Sequence, residues 1–285
     1  MKTNTTHRIA LTALAAALGA AFAAPALAQE GDMATAAGPA SEVSLGAGFV
    51  DRDNQRFGQY DGLYEQGAYL LLDIDYRRLV SETGTWYRLR GRSLGLDSRE
   101  LRFEHGRQGN WGYFIEYDQV PRFDPYTVRT GLQGIGSTAQ TIVPVAVGAG
   151  ADHRLKTERK TWSLGFGKAL RDKWDVKVSF RNEEKEGARL WGQGSFSPAH
   201  YRFLADPIDQ TTRQLDAVAS YAGERLQLSG GYHATDFDNR NRLLNVGPAA
   251  NVAGTPAAGL SPISAMALPP GNQSHQFHFG GGYGI

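Results

Sequence analysis

The residues of this chain that could do chemistry are carboxylates and histidines at short spacings. Asp73 and Asp75 stand two apart, and a second acidic run lies within residues 183–186. Either could be a catalytic pair or a calcium site, but a water-exposed strand or loop is the commoner setting for such residues. His275 and His278 are three apart, and on a strand that spacing puts two side chains on opposite faces. None of these groups favours a reaction centre.

Motifs for bound cofactors are missing from the sequence. The chain has no cysteine, which excludes a CxxCH haem-attachment site and any disulfide. No GxSxG, HExxH or phosphate-loop pattern occurs either. The formal net charge is +1, without the basic excess that nucleic-acid binding requires. We therefore expect no enzymatic activity, no directly bound cofactor and no nucleic-acid partner.

The charged residues lie in segments with a period of two. In residues 87–92 tyrosine and leucine alternate with arginines, and in residues 101–104 leucine and phenylalanine alternate with Arg102 and Glu104. This period places apolar and charged side chains on opposite faces of a sheet. A soluble sandwich would turn its apolar face to a core, whereas an outer-membrane barrel would turn it to lipid. The alternation alone leaves both open.

The N-terminus predicts export. Lys2 and Arg8 precede an uncharged apolar run, and an A-x-A pattern ends at Ala28. These features predict a signal peptide over residues 1–28, with a membrane anchor as the weaker alternative because the run is short and alanine-rich. Residues 29–41 are predicted to form a flexible periplasmic lead-in, and residues 42–285 a β-barrel domain. Cleavage there would remove no acidic residue and would leave the net charge of the mature chain close to zero.

The order of turns and loops favours the barrel. About ten strands are visible, and their lengths of roughly 9–11 residues suit a tilted bilayer crossing. Short turns alternate with three long connections, predicted as irregular loops over Gln119–Lys156, Gly187–Gln210 and Asp238–Asn272. Outer-membrane barrels have short periplasmic turns and long extracellular loops. We predict an all-β, antiparallel transmembrane β-barrel of the outer-membrane type, or its N-terminal portion, in the bacterial outer membrane.

This fold assigns roles to two sets of side chains. Charged residues on strands are candidates for a wet lumen wall, where their mutual pairing is worth little if they are fully solvated. The lumen-facing candidates are Asp73, Asp75, Arg77, Arg88, Arg90, Arg92, Arg102 and Glu104. Tryptophans near strand ends are candidates for the aromatic girdle at the membrane interfaces. The interfacial candidates are Trp86, Trp111, Trp162 and Trp174.

Four segments resemble a known family. They are FGQYDGL at residues 57–63, GRSLGLDSREL at 91–101, QGNW at 108–111 and YDQVPR at 117–122. In this order and spacing they resemble the MtrB/PioB family of outer-membrane barrels associated with decahaem cytochromes. The resemblance implies a sheath that surrounds a periplasmic decahaem c-type cytochrome in its lumen and supports electron transfer across the membrane. It implies that haem is carried by the partner, with outer-membrane lipid and an extracellular redox protein as further partners.

The chain departs from the family in two respects. Some members have a cysteine pair near the mature N-terminus, which is missing here, and members are much longer than this chain. Because barrel diameter grows with strand number, about ten strands would close too narrow a barrel for a haem chain. We therefore expect a fragment of a longer protein. A generic porin or small-solute channel is the main alternative, and an adhesive surface β-protein is a third.

Overall fold

The computed structural model describes residues 41–143, 145–146, 148–170, 173–193, 202–248 and 264–284. The predicted signal peptide and all of the predicted lead-in except Ser41 lie outside these residues. The described residues form strands without helices, which confirms the all-β prediction. The strands are β1 (Glu42–Val50), β2 (Gly67–Val80), β3 (Thr85–Arg92), β4 (Arg99–Arg107), β5 (Trp111–Thr130), β6 (Leu132–Gln133), β7 (Ala139–Ile142), β8 (Ala151–Leu170), β9 (Trp174–Gln193), β10 (Arg202–Ala222), β11 (Leu226–Asn239), β12 (Leu243–Pro248), β13 (Ser264–Ala267) and β14 (Asn272–Tyr283).

Ten strands form one antiparallel sheet, called here the main sheet. Its order is β1-β2-β3-β4-β5-β8-β9-β10-β11-β14, so each strand pairs with the strands of the same sheet that come before and after it in the chain. This agrees with the predicted number of visible strands and with their antiparallel order. Among the described residues β1 and β14 each pair along one edge only, and the sheet is not closed between them.

The short connections lie together at one end of the main sheet. They link β2 to β3, β4 to β5, β8 to β9 and β10 to β11. Gly84 and Gly109 have φ values of 63° and 69° in two of these turns, a conformation that glycine adopts without steric cost. The opposite end has the connection from β1 to β2, the long segments that follow β5 and β11, and two shorter connections, residues 93–98 between β3 and β4 and residues 194–201 between β9 and β10. The predicted grouping of tight turns at one end is therefore confirmed, whereas the other end has connections of both lengths.

Four central strands are much longer than predicted. β5, β8 and β9 each have 20 residues and β10 has 21. The prediction of irregular loops over Gln119–Lys156 and Gly187–Gln210 was therefore wrong, since strand structure covers much of both segments. β12 and β13 likewise lie within Asp238–Asn272. The apolar alternation stops before the strands do, so the period-two pattern underestimated their length.

A second, smaller sheet accompanies these extensions. We call β6, β7, β12 and β13 the cap sheet; its order is β13-β12-β7-β6, with β7 and β12 parallel. It packs against parts of β8, β9 and β10 that lie beyond the apolar stretch of the main sheet. One cluster of buried side chains joins the two: Leu132, Leu155, Ala188, Leu204, Ala205, Leu244, Val246 and Leu268. The hydrophobic core therefore lies at the long-loop end.

Candidate functional site

All eight predicted lumen residues lie on one face of the main sheet, called here the charged face. Residues directly opposite each other on paired strands point to the same side. Asp75 is opposite Arg90, which in turn is opposite Arg102. The remaining five follow by alternation along the same strands: Asp73, Arg77, Arg88, Arg92 and Glu104. That this face lines a lumen stays a prediction.

Ion pairs cross the charged face from strand to strand. The Asp75 carboxylate accepts hydrogen bonds from Arg77 on its own strand and from Arg88 on β3, at Nη2–Oδ2 distances of 2.6 and 2.9 Å. Arg102 on β4 lies between two carboxylates, Glu104 at 2.9 Å and Glu116 on β5. These side chains are partly exposed, so their pairing balances charge on this face without burying it.

The charged face includes residues that the sequence analysis did not select. Glu116 pairs with Arg102, and Glu100 lies 3.5 Å from Arg90. Further along the sheet, Glu183 accepts from Arg181 and pairs with Arg159 at 3.0 Å. Alternation would have placed Glu116 on this face, because Tyr113, Ile115 and Tyr117 mark the other. The charged face therefore extends beyond the eight residues predicted on β2, β3 and β4.

The other face of the main sheet exposes large apolar side chains. A continuous row of directly paired residues crosses six strands. It consists of Leu89, Phe103, Ile115, Leu164, Phe180 and Leu215. Four of these, Ile115, Leu164, Phe180 and Leu215, are 37–46% exposed, and Phe279 on β14 reaches 79%. An apolar surface of this extent suits contact with lipid rather than water.

Three of the four predicted interfacial tryptophans lie on this apolar face. Trp174 packs against Tyr221 at the short-turn end, with ring centroids 5.1 Å apart, and Trp111 begins β5 at the same end. Trp162 packs against Tyr117 at 4.7 Å, six residues further along β5. Trp86 instead lies on the charged face, since it alternates with Tyr87 and Leu89. The placement of these rings at membrane interfaces stays a prediction.

Beyond Tyr117 and Trp162 the formerly apolar face becomes polar. Gln119 donates a hydrogen bond of 2.8 Å to Glu158, which also pairs with Lys160 at 3.0 Å. The apolar stretch of β5 between Trp111 and Tyr117 is about 20 Å long at 3.3 Å per residue, which on a tilted strand covers part of the apolar height of a barrel. The parts of the strands past this limit are called here the upper extensions: residues 119–130, 151–160, 184–193 and 202–210.

The cap sheet is fastened to the β10 extension through a buried amide. Gln140 on β7 donates to the carbonyl of Ala205 and accepts a 3.2 Å hydrogen bond from the Ala205 N–H. Its side chain thus takes the place of a neighbouring strand at this edge. Beside it, the buried Asp206 carboxylate accepts a 2.8 Å hydrogen bond from Arg189 on β9. These contacts satisfy polar groups that the apolar cluster would otherwise leave unpaired.

The connection from β1 to β2 covers the free edge of the β5 extension. β4 stops pairing with β5 at Gln119, and above this point the Phe123 N–H donates to the carbonyl of Gln59 at 2.9 Å. Asp53 accepts from the Gln66 N–H at 2.9 Å and from Arg154 on β8 at 2.7 Å. The Gln66 hydrogen bond, followed by the Arg154 guanidinium, lowers the pKa of Asp53. The segment that carries the FGQYDGL motif is thus a fixed part of the long-loop end.

A cavity of ≈ 330 Å³ opens between the upper extensions of β5, β8 and β9. Four cationic side chains line it, Arg122, Lys156, Lys185 and Arg189. Burial, reinforced by the positive charges of Arg159, Arg189 and Arg122, lowers the pKa of Lys185, while Glu183 opposes the shift. No short motif predicted this group, because its members come from three strands and are brought together only by folding.

The described part of the chain contains no group of three or more histidines and carboxylates arranged to hold a metal ion. Within those same residues, no helix has the length and apolar character to cross a membrane.

Comparison with known proteins agrees with the all-β architecture. The family described as "outer membrane beta-barrel porin, MtrB/PioB" matches residues 49–285, and that description names a porin rather than an enzyme. Outer membrane protein MtrB of Shewanella baltica (strain OS185) is 27% identical over 259 residues, which cover 86% of this chain. The chain spans 36% of the length of that relative. From the match over most of its length, the chain belongs to the MtrB/PioB family of outer-membrane β-barrel proteins.

Proposed function

We propose that this chain forms part of the wall of an outer-membrane sheath around a multihaem cytochrome and supports electron transfer across the membrane. The observation that carries the proposal is the continuous charged face, paired from β2 through β5 and again between β8 and β9. Such a face suits a wet lumen or a polar protein surface, and the opposite face suits lipid. Haem would be carried by a periplasmic decahaem c-type cytochrome seated against the charged face.

A protein partner in the lumen requires a wide barrel. Diameter grows with strand number, and about eight strands leave room only for side chains or one small ligand. The proposal therefore places the ten strands of the main sheet in a wall with further strands. The relative named MtrB, of which this chain matches 36%, is long enough to supply such a wall.

The proposal also gives the two ends of the sheet different partners. Short turns mark the periplasmic side of outer-membrane barrels. The cap sheet and the upper extensions would then face the outside, where they could meet an extracellular redox partner. The described side chains would act by excluding lipid and positioning the cytochrome, without changing redox state themselves.

Electron transfer into liposomes tests this proposal. Liposomes with an enclosed redox dye would contain the full-length barrel, the cytochrome alone, or both, and would receive a membrane-impermeant electron donor. We expect reduction of the dye only when both proteins are present. Equal reduction with the cytochrome alone would contradict a sheath role.

A porin is the second candidate, favoured by the description of the matching family. It requires the same barrel with an open pore. Swelling of liposomes in small sugars separates the two functions, because a porin should admit solutes without any cytochrome. Free entry of solutes into liposomes with the barrel alone, together with no electron transfer by the pair, would favour the porin.

A further inference from the structure

We propose that the cavity lined by Arg122, Lys156, Lys185 and Arg189 binds a small polyvalent anion with phosphate or carboxylate groups. This site is independent of the sheath or porin role, because it is argued from the charges around one cavity. Its volume of ≈ 330 Å³ lies at the lower end of the range for small-molecule sites.

The charge balance of the cavity favours an anion. Arg189 is paired with the buried Asp206, and Asp124 is the one carboxylate among the lining residues. Two positive charges remain in excess when both carboxylates are counted against the four cations. Among the described residues, no carboxylate lies within 4.0 Å of the charged nitrogens of Arg122, Lys156 or Lys185, although Glu183 acts on Lys185 and Glu158 on Lys156 from further away. A divalent anion would balance this excess.

The backbone explains why these cations surround a cavity. Pairing between β8 and β9 ends where Thr157 lies opposite Gly187, whose φ is 125°. A Cβ at Gly187 would lie 2.2 Å from the Lys156 carbonyl oxygen, so only glycine allows this close approach. Beyond it the two strands separate, while β5 still pairs with β8. The gap leaves Lys156 and Arg189 on either side of the opening.

The lining also provides neutral groups that can donate hydrogen bonds. The Thr157 hydroxyl and the Trp191 indole N–H belong to the lining, together with the Gln59 amide. Arginine forms paired hydrogen bonds to phosphate and carboxylate, and lysine contributes a compact charge. The set therefore suits a multiply charged oxyanion better than chloride.

The position of the cavity favours an anion from the aqueous phase over a lipid headgroup. Arg122 lies opposite Thr157, and Lys185 lies opposite Arg159, two residues beyond Glu183 on the charged face. These residues belong to the upper extensions, past the polar change at Gln119 and Glu158. The cavity thus adjoins the end of the charged face and not the apolar surface.

Calorimetric titration of the full chain in detergent micelles, at about 0.15 M salt to screen non-specific attraction, tests the site. Pyrophosphate is the probe, with citrate as the carboxylate counterpart. We expect saturable 1:1 binding of pyrophosphate with a Kd tighter than about 1 mM. The Lys185→Gln and Arg122→Gln variants should each bind about ten-fold more weakly, the usual scale for one charge-assisted hydrogen bond.

The matched control is Lys173→Gln, which removes one positive charge at the short-turn end of the main sheet. Its affinity should stay within about two-fold of the unchanged chain. If Lys185→Gln fails to fold, Lys156→Gln is the second variant, because that side chain is exposed and its amine lies 5.7 Å from the centre of the Phe123 ring. No saturable heat with pyrophosphate, or an equal loss in the Lys173→Gln control, would overturn the proposal. Saturable binding of citrate as well is expected for a site that accepts polyvalent carboxylates along with phosphates.

Discussion

The apolar stretch of the main sheet and the region of the cap sheet are both built of paired strands, but the first exposes its large apolar side chains and the second buries them. In the main sheet Leu164 and Phe166 are 46% and 50% exposed, although both are large and apolar. At the cap, Leu204 and Leu244 are fully buried. The difference is the one expected of an outer-membrane barrel, where lipid takes the place of a protein core beside the membrane strands and water requires such a core beyond them.

The two regions also satisfy their backbone edges in different ways. Strands of the main sheet pair with one another through the apolar stretch, as a barrel in lipid requires. In the upper extensions some strands no longer have a paired strand on one side. These free edges are covered by Gln140 and by the carbonyl of Gln59. Packing at the long-loop end therefore resembles that of a small water-soluble domain, although its strands continue those of the main sheet.

The largest expected effect comes from the buried cluster. Leu204→Ala should destabilise the cap region by about 2–5 kcal/mol, the range for leucine truncation in a packed core. Limited proteolysis and thermal unfolding in detergent would measure it. The matched control, Leu164→Ala on the exposed apolar face, should cost clearly less. Equal loss for the two leucines would contradict the contrast between the regions.

A charge on the apolar face should oppose membrane insertion. Leu89→Arg, in the continuous apolar row, should cost roughly 2–4 kcal/mol if the row lies near mid-bilayer. Leu101→Arg should cost less, because Leu101 is opposite Tyr117 and closer to the polar limit. Arg90→Leu on the charged face is the control and should spare insertion into lipid vesicles. Similar losses from Leu89→Arg and Arg90→Leu would show that the faces are assigned wrongly.

The buried amide of the cap offers a smaller effect. Gln140→Leu keeps a side chain of similar size but leaves the Ala205 N–H without its partner, at a cost of about 1–3 kcal/mol. Hydrogen exchange at Ala205 and thermal unfolding would detect the change. Gln133→Leu on β6 is the matched control, since Gln133 is exposed. If both variants unfold at the same temperature, Gln140 does not hold the edge of β10.

The smallest effect concerns the ion pair that fixes the connection from β1 to β2. The pKa of Asp53 is lowered on folding, so its contribution is present above the ordinary value of 3.8 and is lost as pH falls through the lowered pKa. Exchange protection of the Gln66 amide should thus be higher in the unchanged chain than in Asp53→Asn at neutral pH. The two should converge in strong acid. A difference that persists there would exclude the carboxylate as its cause.

The sequence by itself determined which residues share a face within the apolar stretch. Alternation such as that of Leu89 with Arg88 and Arg90 depends on the geometry of a single strand. The sorted turns and the absence of cysteine are likewise local properties. For this reason the ten strands, their antiparallel order and the common face of the eight charged residues could be predicted.

Only the tertiary structure decided how the long-loop end is built. Above Gln119 both faces meet water or the cap sheet, so alternation disappears although the strands continue to Thr130 and Gln193. The parallel pairing of β7 with β12 joins Gln140 to Val246, more than a hundred residues apart in the sequence. The four cations of the cavity likewise come from three different strands. Such contacts depend on which distant segments come together in the fold, and the alternation of residues within one strand does not predict that.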